Sequence, residues 1–122
     1  MSRVRVAFGK IGEDLACEEL VRRGYEILAR RYRQRGGEID IVARDGLTLV
    51  FVEVKSRGGR AFGDGSEAVT PRKQRTIAAL ALDYMARHKV HECPCRFDVV
   101  SVLLENGQTT VEVVRDAFSA CA

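Results

Sequence analysis

Hydrophobic residues recur at helical spacing in two parts of this chain. Residues 9–23 predict the first helix, because their apolar positions follow an i, i+3, i+4, i+7 pattern while charged residues take the other side. Its inward-facing positions are Glu13, Ala16, Cys17 and Leu20. The second helix begins after Thr70, an N-cap residue, with Pro71 at the first helical position. Its predicted buried stripe consists of Ile77, Leu80, Ala81, Tyr84 and His88.

Five further segments are rich in β-branched and aromatic residues and predict strands. They cover residues 25–32, 37–43, 49–55, 96–104 and 109–114. Two turns between them carry hairpin signals, Asp45-Gly46 and Asn106-Gly107. A glycine-rich loop is expected over residues 56–65 and a tail over residues 116–122. The order α-β-β-β-α-β-β predicts an α/β fold, a mixed sheet flanked by helices, in one domain over residues 1–122.

The composition agrees with one soluble domain. The chain has 122 residues, of which 46% are hydrophobic and 30% are charged, and this is enough to bury a core without disulfide or metal staples. No apolar run approaches the length of a membrane span, and residues 1–10 lack the apolar segment of a secretory signal. We therefore expect a cytoplasmic protein with no membrane partner. Its four cysteines are expected to be reduced thiols.

Positive charge is concentrated in the first two thirds of the chain. The net charge is only +3, but arginines and lysines crowd residues 22–75 and become sparse after Arg96. Such a one-sided distribution is typical of a surface that binds phosphates. For any single cluster the simpler interpretation is a solvated face. The convergence of several clusters on a pair of acidic residues favours nucleic acid as the partner.

That acidic pair is the most informative feature of the sequence. The segment from Leu49 to Val52 is apolar on both faces, so it predicts a central strand, and Glu53 and Lys55 follow at its end. Alternation puts Glu53 and Lys55 on one face, and Asp40 on the preceding strand can point the same way. Two carboxylates and an ammonium can hold a divalent metal and a phosphate. The alternative is a cross-strand ion pair that stabilises the hairpin.

The spacing of these residues resembles a known nuclease motif. Asp40, followed after twelve residues by Glu53-Val54-Lys55, is similar to the PD-(D/E)xK motif of restriction-endonuclease-like enzymes, with Ile39 in place of the leading proline. Further stretches resemble the bacterial YraN-type family, which is labelled as endonucleases and is similar to archaeal Holliday-junction resolvases. These stretches are Gly9–Ala16, Gly37–Val42, Phe51–Arg57, Lys73-Gln74 and Arg96–Val100.

The resemblance implies a restriction-endonuclease-like fold and a full set of site residues. Asp40, Glu53 and the Val54 carbonyl would bind Mg²⁺ or Mn²⁺, and Lys55 would stabilise charge at the phosphate. Glu13 would join the metal shell, although an acid in the first turn of a helix is also favoured by the helix dipole. Gln74, in preference to Lys73, would contact the scissile phosphate. The residues expected to grip nucleic acid are Arg33, Arg35, Arg57, Arg60, Arg72 and Lys73.

Three functions are compatible with these residues. The first is metal-dependent hydrolysis of phosphodiester bonds in DNA, including branched or structured DNA. The second is a non-catalytic nucleic-acid-binding module that retains the nuclease fold, and the third is an interaction subunit whose acids only stabilise the sheet. A homodimer is expected if the chain cuts two strands of a junction, and Val111, Val113 and Phe118 would supply the self-complementary surface.

Overall fold

The computed structural model describes residues 3–58, 69–90 and 92–119. Two helices and five strands follow one another in the order that the hydrophobic pattern predicts. Neither described helix carries an apolar stretch long enough to cross a membrane. The elements are α1 (Arg3–Arg22), β1 (Glu26–Gln34), β2 (Gly37–Asp45), β3 (Thr48–Gly58), α2 (Pro71–Arg87), β4 (Cys95–Glu105) and β5 (Gln108–Phe118).

The five strands form one mixed sheet in the order β1-β2-β3-β4-β5. Strands β1, β2 and β3 are antiparallel neighbours, and β4 and β5 form a second antiparallel hairpin. Strand β4 joins β3 in parallel, because α2 carries the chain back across the sheet between them. The prediction of a mixed α/β sheet is therefore confirmed, and β3 is its central strand.

Two apolar clusters cover the two faces of the sheet. On one face, α2 packs its predicted stripe against side chains of β2, β3 and β4. On the other face, Ala16 and Leu20 of α1 pack against the alternate residues of the same strands. Phe51 belongs to the α2 cluster, whereas Val50 and Val52 belong to the α1 cluster. Since both faces of β3 are buried, its near-continuous apolar run is explained.

The ends of α2 are fixed by local chemistry. The Thr70 hydroxyl accepts a hydrogen bond from the Lys73 N–H at 3.1 Å, and Pro71 takes the first helical position, as predicted. The prediction that His88 belongs to the buried stripe is wrong. The helix ends at Arg87, so His88 becomes an exposed cap residue whose ring stacks on Tyr84.

Three element boundaries also differ from the sequence prediction by three or more residues. Helix α1 begins at Arg3, several residues before the predicted start. Strand β3 continues to Gly58, because its end pairs with Leu103 and Leu104 of β4, and this pairing overrides the loop signal of the glycines. Strand β5 reaches Phe118, whose ring stacks on Phe97, so the predicted tail is partly strand. The rest of the predicted glycine loop lies outside the described residues.

The predicted self-complementary surface on β5 is used within the chain. Val111 and Val113 are half-buried against the α1 cluster, and Phe118 packs against the α2 cluster. Val114 remains as a partly exposed apolar residue on this strand. A homodimer stays a prediction.

Candidate metal centre and nucleic-acid interface

Strands β2 and β3 stop pairing where the two predicted carboxylates lie. Their ladder ends at the pair Ile41 and Val52. One residue further, the Asp40 carboxylate accepts a hydrogen bond from the Val54 backbone N–H at 2.8 Å. The side chain of Asp40 therefore bridges the opening between the strands, beside Glu53.

Glu53 lies on the face that α2 covers, and its environment is unfavourable for a charge. Its side chain is 11% exposed. Burial and, after it, the neighbouring Asp40 carboxylate together raise the pKa of the Glu53 carboxyl to about 8, against the opposing effect of Lys73. Two carboxyl groups that share one site cannot both ionise cheaply. We call Asp40 and Glu53 the acid pair.

One oxygen of the acid pair is left without a hydrogen bond. Among the residues that the structure describes, Glu53 Oε2 is the buried side-chain polar atom that lacks one. Lys73 Nζ is 3.5 Å away, but this lysine side chain is 44% exposed, so the contact is partly screened by water. Buried carboxylate oxygens normally have partners. An oxygen-preferring divalent cation such as Mg²⁺ would supply the missing partner and offset the repulsion.

The preference for Gln74 over Lys73 as the contact to the scissile phosphate stays a prediction. Lys73 is the residue that reaches Glu53. The Gln74 side-chain amide instead donates to the Val69 carbonyl at 2.7 Å and so helps to hold the start of α2. Lys55 follows Glu53 on the same face of β3 by alternation, and its ammonium forms no ion pair with a described residue.

A cavity of about 350 Å³ opens beside Asp40, on the side of α1. We call it the Asp40 cavity. Ser56, which lines it, is in direct contact with Gly12, and a Cβ at residue 12 would lie 1.8 Å from the Ser56 Oγ. The described residues that line it are Gly9, Lys10, Glu13, Arg31, Arg33, Glu38, Asp40, Val54 and Ser56.

Glu13 faces the sheet as predicted, but it is already paired. It is buried, and its two oxygens accept hydrogen bonds from Arg30 Nε at 2.9 Å and from Arg31 Nε at 3.2 Å. In the described part of the chain no three acidic, histidine or cysteine residues are arranged to hold a metal ion. The structure thus brings together the acid pair and places Glu13 in the adjoining cavity. Two carboxylates fit Mg²⁺, which commonly keeps waters and substrate oxygens as its other ligands.

The predicted nucleic-acid residues fall into several places. Arg33 lines the Asp40 cavity and lies 3.5 Å from Glu38, and Arg57 lies near the end of β3. Arg60 is outside the described residues. Arg35 and Arg72, together with Arg75, line a second concavity of about 450 Å³, which we call the arginine groove. It forms where the turn between β1 and β2 packs on α2, with Gly37 against Thr76.

Sequence reasoning missed a buried ionic cluster around Asp98, for which it assigned no role. Asp98 is fully buried and accepts hydrogen bonds from Arg96, from the Tyr25 hydroxyl at 3.0 Å and from the Asp116 N–H at 2.9 Å. Arg96 also contacts Asp45 at 3.1 Å, and these hydrogen bonds hold the pKa of Arg96 above its usual value. The alternation of Arg96 and Asp98 in β4 was the only sequence signal of this cluster. It does not indicate which distant residues the two side chains contact.

Comparison with known proteins gives one consistent family. The model of the uncharacterised protein family UPF0102 matches residues 12–102. A UPF0102 protein of Symbiobacterium thermophilum is 50% identical over 113 residues, which cover 92% of this chain and 96% of that protein. A UPF0102 protein of Trichlorobacter lovleyi is 47% identical over 114 residues, 92% of this chain and 90% of that protein. A third, from a Parafrankia species, is 50% identical over 117 residues, 95% of this chain and 99% of that protein.

Proposed function

The chain belongs to the UPF0102 family, and from this premise we propose that it is a metal-dependent nuclease that hydrolyses phosphodiester bonds in DNA. The observation that carries the proposal is the acid pair. Asp40 and Glu53 meet where β2 and β3 diverge, and Glu53 has a buried oxygen without a hydrogen bond and a pKa raised to about 8. Groups held in such an unfavourable state cluster at functional sites.

Asp40 and Glu53 would hold Mg²⁺ or Mn²⁺, with the Val54 carbonyl as the further ligand expected from the sequence. When bound, the cation would polarise the phosphodiester and promote ionisation of the attacking water. The carboxylates are hard oxygen donors, which suits these cations. We also propose that the sheet and its two helices have the restriction-endonuclease-like arrangement, in which the acids lie at the open end of a central hairpin.

The lysines of the site have separable roles in this proposal. Lys55 shares a face with Glu53, and its ammonium stabilises negative charge that develops on the phosphate. Lys73 partly neutralises Glu53 in the metal-free protein. Once a cation takes over that task, Lys73 is available to a phosphate oxygen of the substrate. Gln74 anchors the start of α2, and through it the position of Lys73.

The arginine groove favours a second candidate function, a nucleic-acid-binding module without catalysis. Its three arginines form no ion pair with a described residue, so their charge is available to phosphates. Small and apolar residues, Ala79 and Leu80, complete the lining, and no aromatic ring is present among the described lining residues to stack on a base. Such a groove binds the backbone without reading sequence.

A cleavage panel separates the two functions. The purified chain is incubated with Mn²⁺ or Mg²⁺ and labelled junction, flap, duplex and single-stranded DNA, and with RNA. Glu53→Gln, Asp40→Asn and Lys55→Ala are compared with Glu112→Gln, which makes the same change at an exposed position of β5. We expect the three site variants to lose on the order of 10²–10³-fold or more in turnover, while Glu112→Gln keeps it.

Two results would count against catalysis by the acid pair. One is a Glu53→Gln variant that cleaves at the wild-type rate. The other is wild-type protein that binds DNA tightly and cleaves no substrate with either cation, which would favour the binding module.

A further inference from the structure

Arg31 has an unusual backbone conformation for a residue within a strand. Its φ is +54°, in the left-handed region that a residue with a side chain seldom adopts. The residues on either side pair normally across β1 and β2, Arg30 with Ile41 and Tyr32 with Ile39. Arg31 therefore lies opposite Asp40 in the register. A strained conformation persists where something else requires it, and such sites are often functional.

The distortion turns side chains toward the Asp40 cavity. In a regular strand, successive residues point to opposite faces, so Arg30 and Arg31 could not share a partner. Here both reach the Glu13 carboxylate, and Arg31 and Asp40 line the same cavity. Local distortions of strands beside active sites commonly re-aim a side chain in this way.

Glu13 does not need both arginines. Arg30 bonds one oxygen of Glu13 and also Asp14, at 2.9 Å and 2.6 Å. If Arg31 moves away, the buried carboxylate keeps the Arg30 partner. The Arg31 side chain is 49% exposed, so its guanidinium can exchange one oxygen ligand for another at the mouth of the cavity.

The charge of the cavity suits an anion once the acid pair is neutralised. Its described lining residues carry equal numbers of basic and acidic side chains, Lys10, Arg31 and Arg33 against Glu13, Glu38 and Asp40. A divalent cation on the acid pair would leave the cavity net positive. Guanidinium groups bind phosphates through paired, charge-assisted hydrogen bonds.

We infer that Arg31 is a substrate-binding residue, whose guanidinium leaves Glu13 to bind a backbone phosphate of a nucleic-acid strand that enters the Asp40 cavity. The identity of the ligand rests on the proposed function, whereas the anion site rests on the strained backbone and the shared cavity. The competing interpretation is a purely structural ion pair between Arg31 and Glu13. The two interpretations predict different effects on binding.

Two substitutions at Arg31 and one control test the inference. Arg31→Gln removes the charge and keeps the strain, whereas Arg31→Gly removes both, because glycine adopts a positive φ freely. Arg44→Gln is the matched control, since Arg44 is an exposed strand arginine paired with Glu26 at 3.7 Å, away from the cavity. Binding is measured by fluorescence anisotropy with a labelled single-stranded DNA, with Ca²⁺ in place of Mg²⁺ to limit hydrolysis. Thermal unfolding is measured without DNA.

We expect both Arg31 variants to bind the labelled DNA roughly tenfold more weakly than the wild type. The salt dependence of their affinity should fall by about one phosphate contact, whereas Arg44→Gln should bind within twofold of the wild type. Arg31→Gly should melt no lower than Arg31→Gln. An Arg31→Gln variant that binds within twofold of the wild type, or a wild-type protein that does not bind the DNA, overturns the inference.

Cleavage is measured separately on the same proteins. If the wild type cleaves DNA and Arg31→Gln binds normally, the inference fails and the proposed function stands. If the wild type binds DNA through Arg31 but cleaves nothing, the proposed function fails and the anion site stands.

Discussion

Asp98 and Glu53 occupy neighbouring positions on opposite faces of the sheet, the first fully buried and the second half-buried, and their surroundings differ completely. Asp98 pairs across β3 and β4 with Val52, the residue before Glu53. Asp98 is surrounded by donors, namely Arg96, the Tyr25 hydroxyl and the Asp116 N–H. Glu53 has an oxygen without a hydrogen bond and a pKa raised to about 8 by burial.

One strand residue with a positive φ lies beside Asp98, and another lies opposite Asp40, the neighbour of Glu53. Asp116 has a φ of +53°, and its N–H completes the shell of Asp98. Arg31 has a φ of +54°, and its side chain goes to Glu13 and the Asp40 cavity, not to Glu53. A carboxylate whose partners are all supplied by the chain stabilises the fold. The incomplete carboxylate, Glu53, is the basis of the metal site that we propose.

The largest effect on stability should come from a substitution in the Asp98 cluster. Asp98→Asn leaves the Arg96 guanidinium beside a neutral group in a buried position, and we expect a loss of ~3–5 kcal/mol in the free energy of unfolding. Urea denaturation followed by circular dichroism measures it. A loss below ~1 kcal/mol would mean that the cluster is not a structural centre.

At Glu53 we expect the opposite effect, an increase in the free energy of unfolding when the carboxyl group is replaced. The pKa of the Glu53 carboxyl is raised in the folded protein, so between pH ~4.5 and 8 the folded state keeps a proton that the unfolded chain has lost. The contribution of this group to stability is therefore full below pH ~4.5 and is lost as the pH rises toward 8. Glu53→Gln cannot ionise, so it should become more stable than the wild type across this window, by ~1–3 kcal/mol at pH 8.

Denaturation curves from pH 5 to pH 8.5 measure the difference. Glu112→Gln, at an exposed position, is the control and should stay within ~0.5 kcal/mol of the wild type at every pH. A Glu53→Gln variant that is less stable than the wild type at pH 8 would contradict the view of Glu53 as an incomplete group.

A smaller effect on the free energy of unfolding should come from adding a divalent cation as the missing partner of Glu53. Mn²⁺ at tenfold its dissociation constant should stabilise the wild type by about 1.4 kcal/mol, and Asp40→Asn and Glu53→Gln should lose this gain. Because the cation requires an ionised Glu53, its binding should release a proton at pH 7 and should be tighter at pH 8.5 than at pH 6.5. Calorimetry in buffers of different ionisation enthalpy detects the proton. Equal binding at both pH values would show that Glu53 is not a ligand.

Much of the fold could be predicted because its signals are local. The two hairpin turns, the cap of α2 and the alternating apolar positions each depend on a few adjacent residues, and they fixed the order of the elements. The same is true of the acid pair. Asp40 and Glu53 lie on two strands that a two-residue turn joins, so strand alternation brings the two carboxylates together.

The features that escaped prediction depend on distant partners. Tyr25 and Asp98 are 73 residues apart, and no pattern in either segment indicates the other. The extension of β3 to Gly58 depends on β4, and the choice between Lys73 and Gln74 depends on how α2 lies over Glu53. The positive φ of Arg31 has no local signal in the sequence, because a residue with a side chain seldom adopts it.

The parallel pairing of β3 with β4 also has a consequence for the time course of folding. Strands β1 to β3 are consecutive in the chain, so the hairpin that carries Asp40 and Glu53 can close soon after synthesis has passed Gly58. The Asp98 cluster needs Tyr25 near the N-terminus and Asp116 near the C-terminus, so it cannot form until almost the whole chain is present. We expect a nascent chain to form the hairpin of the proposed metal centre first and the Asp98 cluster last.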